Sequence, residues 1–181
     1  MPRPVLIHPG LFDSGPRHWQ SHWEARFPHV TRVRQDDWET PRATDWIARL
    51  DEHVRRAGDD VVLVGHSLAC SLIVRWAEQH RRPVRGALLV APSDTEAPSY
   101  PSGTTGFTPM PTYRLPFPSI AVASDDDEYV TAPRARQFAE AWGSELALMP
   151  GLGHINSDSD LGMWPEGLAL LARLSDDRYD D

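Results

Sequence analysis

The chain has 181 residues, 40% of them hydrophobic and 24% charged, and a formal net charge of −8. That length suits one domain with an independent core. The negative balance argues against nucleic acid or an anionic membrane surface as a partner, since both reward basic patches, and no run of 18 apolar residues is present to span a bilayer.

Pro4–His8 is a short buried strand, and its apolar centre Val5–Ile7 is too brief for a secretory signal. From Arg17 to Phe27, Trp19, Trp23 and Phe27 recur at four-residue spacing, which predicts a helix with one aromatic face. His18 and His22 on that helix have a zinc-compatible spacing. They lack the intervening glutamate of a metalloprotease helix, so a solvated face is the preferred reading. Val30–Arg34 reads as a second strand, and Trp38 follows it at the carboxyl edge, where ligands of open α/β sheets bind. Thr44–Ala57 places Trp46, Ile47, Leu50 and Val54 on one side of a helix that Gly58 stops.

Val61–Val64 is four consecutive apolar residues, as suits a central parallel strand buried on both faces. The chain turns at Gly65-His66-Ser67 and is helical through His80. The only cysteine, Cys70, falls in this helix. It rules out an internal disulfide or a thiolate zinc cluster, and a reducing, cytoplasmic setting is expected. Val84–Ala91 and Ser119–Ala123 are further strands, followed by helix Ala132–Trp142, strand Glu145–Met149 and a helix around Pro165–Leu174. Between them, residues 92–118 hold seven prolines and little periodicity, which marks a functional or partly ordered loop. The alternation predicts one α/β domain over residues 1–175: a mostly parallel, doubly wound sheet of about six strands, its first strand inside the second, with helices on both faces. Residues 176–181 are mostly charged and expected to fray.

A serine at the tip of a strand-to-helix turn is held in strained geometry that projects its hydroxyl above the sheet. Ser67 occupies such a turn, with Gly65 two residues before it and Ala69 two after, where the G-x-S-x-G pattern asks for glycine. The plainer alternative is a serine that caps the helix. If Ser67 is a nucleophile, its acid and its base should follow in that order. His154 stands in Pro150-Gly151-Leu152-Gly153-His154, after the last strand, where flanking glycines suggest a mobile loop that carries the imidazole to the serine. The acid should follow Ser119–Ala123, in Asp125-Asp126-Asp127-Glu128, and one of these carboxylates would fix the histidine tautomer. Two backbone amides would complete an oxyanion hole: that of Leu68, and one from the loop His8–Gly15, expected to be Leu11's. Gly10, His66 and Trp38 are candidates for the substrate pocket, although turn geometry aims His66 away from Ser67.

Pro9-Gly10, His18-Trp19 with Trp23, Gly65-His66-Ser67-Leu68, Ser124 with Asp127 and Val130, and Gly153-His154 with Asn156 stand in one order along the chain. In these, and over essentially its whole length, the sequence resembles the small α/β-hydrolase family typified by retinoblastoma-binding protein 9 and its bacterial relatives. The resemblance implies a three-layer α/β-hydrolase fold with a minimal cap. It also places the catalytic aspartate two residues before an aromatic and three before an aliphatic residue, which selects Asp127 and leaves Asp126 second. Two departures stand out. Ala69 replaces the usual glycine, and Leu68-Ala69-Cys70-Ser71-Leu72 lacks the glutamate of a Leu-x-Cys-x-Glu motif, so pocket-protein binding is not implied.

The expected reaction is two-step acyl transfer from a small ester-like substrate, with neither metal nor cofactor required. Amide or thioester cleavage would use the same triad. A non-catalytic binding module would have lost a triad member, and none is missing.

Overall fold

The computed structural model describes residues 1–179. Six strands form one sheet: β1 (Val5–His8), β2 (Val30–Arg32), β3 (Val62–His66), β4 (Gly86–Val90), β5 (Ser119–Ser124) and β6 (Glu145–Met149). Their order is β2-β1-β3-β4-β5-β6, and every adjacent pair is parallel. The sheet is thus wholly parallel, with β1 inside β2 as expected.

Five helices cover it: α1 (Trp19–Arg26), α2 (Ala43–Ala57), α3 (Leu68–His80), α4 (Ala132–Trp142) and α5 (Pro165–Ser175). Alternation along the buried strands divides the core between the two faces. Leu63, Ala87 and Leu89 pack with Trp46 and Leu50 of α2, Leu72 and Trp76 of α3 and Phe138 and Trp142 of α4. Val62, Val64, Leu88 and Val90 pack with Trp19 and Trp23 of α1 and with Leu168, Leu171 and Leu174 of α5. This is the three-layer α/β-hydrolase architecture.

The chain runs from β1 outward to β2, then crosses back to β3 on the other side of β1. The strand order therefore reverses between β1 and β3, and their carboxyl ends, with His8 paired to Gly65, flank the crevice where open α/β sheets bind ligands.

Residues 92–118 are an ordered covering on the α2–α3–α4 face. Phe107, Met110, Leu115 and Phe117 are buried, the Trp142 indole donates to the Pro111 carbonyl at 2.8 Å, and the Ala43 amide donates to Thr105 at the same distance. Prolines suit such a segment, which forms no strand of the sheet and so needs few backbone donors. The charged tail is held as far as Tyr179. The Arg3 amide donates to Asp177, Arg85 pairs with Asp176, and the Tyr179 ring packs on Phe27. That part of the expected fraying is corrected, because apolar and ionic partners lie within reach. Asp180 and Asp181 lie outside the described residues. No helix among the described residues is long and apolar enough to cross a membrane.

Candidate active site

The site begins where β3 ends. Ser67 takes φ 59° and ψ −120°, a conformation that costs a non-glycine residue of order 1–3 kcal/mol and is tolerated where function needs it. Gly65 makes the turn possible. A Cβ there would lie 2.8 Å from Ile73 Cδ1 and 3.1 Å from the Ala69 carbonyl carbon. The Ser67 side chain makes no capping bond to α3, so the capping alternative fails. Its hydroxyl instead lies 2.8 Å from His154 Nε2 and 2.6 Å from Ser93 Oγ.

His154 stands beyond β6, and its imidazole Nδ1 is 2.9 and 3.0 Å from the two oxygens of Asp127. The Asp127 side chain is fully buried, and its Oδ1 also accepts the Tyr129 amide at 2.8 Å. A carboxylate can only accept, so His154 Nδ1 carries a proton, and in the neutral imidazole Nε2 faces Ser67 as an acceptor.

The loop that carries His154 is pinned rather than mobile, which corrects the expectation from its glycines. Three consecutive amides, those of Gly151, Leu152 and Gly153, donate to Asp125, Ser124 and Asp126, each at 2.8 Å. Gly151 and Gly153 are needed for positive φ, 64° and 57°, within this tight clasp. Asp126 also accepts the Ser124 hydroxyl at 2.7 Å, and that bond, followed by the Gly153 amide, holds its carboxyl below the ordinary aspartate range. From the other side, His66 Nε2 donates to the His154 carbonyl at 2.9 Å, and the Trp19 indole donates to the Ile155 carbonyl at 2.8 Å. Burial, reinforced by His18 and His154, keeps His66 neutral at ordinary pH.

The loop after β1 closes the site. Gly10 presses against Ser67, for a Cβ on it would meet Ser67 Cβ at 2.7 Å and the His66 carbonyl at 3.0 Å. Gly10 thus backs Ser67 and does not line the cavity, which corrects its place as a pocket residue. The Leu11 and Leu68 amides have no backbone acceptor among the described residues, whereas the neighbouring Phe12 amide donates to the Trp38 carbonyl at 2.8 Å. Trp38 is corrected as well. Its ring turns inward, 5.8 Å from His8 and 5.4 Å from Trp46, and only its carbonyl serves the loop.

A cavity of about 200 Å³ opens above Ser67. Leu11, Phe12, Tyr100, Pro101 and Tyr129 give it apolar walls, and Ser67, His154, His66, His18 and Ser93 a polar floor. Phe12 stands at its mouth with 65% of its surface exposed. His18, buried, caps α1 by accepting the Gln20 amide at Nδ1, 3.2 Å away. Its Nε2 then carries the ring proton and has no partner among the described residues. Burial first, then Arg32, holds the His18 pKa down to about 3, so it offers this donor as a neutral ring. Among the described residues no group of three His, Cys, Asp or Glu side chains is placed to hold a metal, so no third ligand joins His18 and His22. Sequence reasoning missed Ser93, Tyr129 and the pocket role of His18. The His18-Trp19 pair was visible as a motif, but Ser93 sits in the proline-rich segment with no local signal.

Residues 5–173 match the family described as serine hydrolase. No curated protein matches the sequence. Among solved structures, a YdeN-like hydrolase from Pectobacterium atrosepticum is 32% identical, with a TM-score of 0.85 over 97% of this chain and 91% of its own. The ydeN gene product of B. subtilis is 21% identical with a TM-score of 0.74, over 97% of this chain and 100% of its own. A monoacylglycerol lipase from Paleococcus ferrophilus is 14% identical with a TM-score of 0.71, over 97% and 96% of the two chains. The last two likenesses speak to the fold alone. With nearly its whole length matched, the chain belongs to the serine hydrolase family and is built on the α/β-hydrolase fold.

Proposed function

We propose that the protein hydrolyses a small ester-like substrate through an acyl-enzyme on Ser67, with His154 as general base and Asp127 as its orienting acid. What carries the reading is the unbroken hydrogen-bond run from the buried Asp127 carboxylate through His154 to the strained Ser67 hydroxyl. In that reading Ser67 Oγ attacks the carbonyl carbon as His154 Nε2 takes its proton. The unengaged amides of Leu11 and Leu68 receive the oxyanion, at the positive end of α3. The same imidazole then protonates the leaving alcohol and activates water for the second half. No step calls on a metal or cofactor.

The cavity sets the scale of the substrate. About 200 Å³ lies below the usual range for drug-sized ligands, which favours a compact acyl group against the apolar walls. A reducing, cytoplasmic setting belongs to the same proposal, since the single cysteine, Cys70, cannot form an internal disulfide that an oxidising compartment would favour.

The test is turnover of p-nitrophenyl acetate by the wild-type protein and by Ser67→Ala. The expected outcome is loss of catalysed turnover with an unchanged circular dichroism spectrum. Turnover that persists in a purified, folded Ser67→Ala protein would remove the nucleophile and with it the reading.

A further inference from the structure

Ser93 lies beyond the end of β4 and is buried against the nucleophile, its Oγ 2.6 Å from Ser67 Oγ. The direction of that bond follows from its neighbours. Asp127 only accepts, so in the neutral imidazole that acts as base Nδ1 holds the one ring proton, Nε2 accepts, and the single proton of Ser67 is committed to it. The contact between the two hydroxyls must therefore use the proton of Ser93, which donates to Ser67 Oγ.

The backbone around Ser93 is fixed from both sides. The Ala91 amide donates to the Val122 carbonyl at 2.7 Å, and the Asp94 amide donates to the Tyr129 carbonyl at 2.9 Å. The Asp94 carboxylate receives the Arg134 guanidinium at 2.8 and 3.0 Å, which ties the start of the proline-rich segment to α4. The Tyr129 ring lies 4.5 Å from that of His154. The segment bearing Ser93 and the loop bearing Asp127 are thus held together, and the donor is oriented before any substrate arrives.

We propose that Ser93 is a fourth catalytic residue: its hydroxyl donates to Ser67 Oγ throughout the cycle, fixing that atom's direction and stabilising the negative charge it carries whenever its bond to the acyl carbon forms or breaks. This rests on the triad reading given above. In acylation the Ser67 proton passes to His154 Nε2 while an Oγ electron pair bonds the carbonyl carbon. Collapse of the tetrahedral intermediate expels the alcohol oxygen, which takes the His154 proton. In deacylation a water proton passes to His154 and the water oxygen bonds the acyl carbon. The carbon–Oγ bond then breaks with its electron pair on Oγ, and His154 returns the proton to Oγ. Ser93 keeps its own proton at every step, so no further reactant is needed.

The experiment compares wild type, Ser93→Ala and Ser93→Thr by the rate constant for fluorophosphonate labelling and by kcat/KM on p-nitrophenyl acetate. A hydrogen bond to a charged atom predicts that Ser93→Ala lowers both by about 10- to 100-fold. Ser93→Thr, which restores the hydroxyl, should bring both within about threefold of wild type, allowing for an added methyl group. Values for Ser93→Ala within twofold of wild type overturn the proposal. So does an equal loss in a folded Ser93→Thr protein, which would assign the effect to packing. Labelling that survives in Ser67→Ala would instead remove the triad on which the proposal stands.

Discussion

At the scale of single residues, neighbouring carboxylates in Asp125-Asp126-Asp127-Glu128 have different tasks. Asp127 is buried against His154, whereas Asp125 and Asp126 are exposed and each hold one amide of the His154 loop. Asp127→Asn would put an amide where the imidazole needs a pure acceptor and would favour the wrong tautomer. In a serine protease with the same arrangement that change costs about four orders of magnitude in turnover, and a loss of similar size is expected here. Asp126→Asn keeps an oxygen for both the Gly153 amide and the Ser124 hydroxyl and should stay within about tenfold of wild type, the loss attributable to the weakening of these two hydrogen bonds. Turnover of one activated ester by both variants decides this. An Asp126→Asn protein more crippled than Asp127→Asn would shift the acid by one position.

At the scale of elements, the close approach of β1 and β3 explains why the β1 loop contains Pro9-Gly10. A side chain at position 10 would collide with Ser67 Cβ and the His66 carbonyl, neither of which is a flexible tip. Gly10→Ala should therefore displace Ser67 and, on the proposed mechanism, lower kcat by about 100-fold, the cost of misplacing a reacting group by about an ångström. It should destabilise the fold by only about 1–3 kcal/mol. Turnover alongside urea denaturation separates the two effects, and a Gly10→Ala protein with wild-type kcat would contradict the contact. The strand–helix alternation was legible because β-branched runs and four-residue periodicities are local signals. The placement of Ser67, His154 and the loop bearing Asp127 at one edge of the sheet was legible for a related reason: each follows a recognisable strand. The orientation of Trp38 was not legible, because packing on His8 and Trp46 decides it across distant segments. Ser93 was hidden likewise, since its neighbour Ser67 lies 26 positions away in sequence.

For the whole molecule, the parallel sheet buries three histidines near its carboxyl edge, and this makes stability depend on pH. Burial holds His8 at about 4 and His18 at about 3, and lowers His66 as well. The unfolded chain binds protons at these positions below about pH 6.5, where the folded protein does not. Stability is therefore fully present above pH 6.5 and is lost as the pH falls toward 4, by up to ~1.4 kcal/mol per pH unit for each histidine. His8 donates from Nδ1 to the Pro9 carbonyl at 2.7 Å and accepts from Gln35, away from the Ser67 cavity. A His8→Asn protein should show a shallower fall in its urea midpoint between pH 6.5 and 4.5, and an unchanged slope would mean that this ring is protonated in the folded state. The central claim concerns which atom becomes covalently modified. Treating the protein with a fluorophosphonate and mapping the adduct by tandem mass spectrometry answers it directly. A single adduct on Ser67, absent from heat-unfolded protein and from Ser67→Ala, is expected. An adduct on another residue, or none in a protein that still turns over esters, would contradict the assignment.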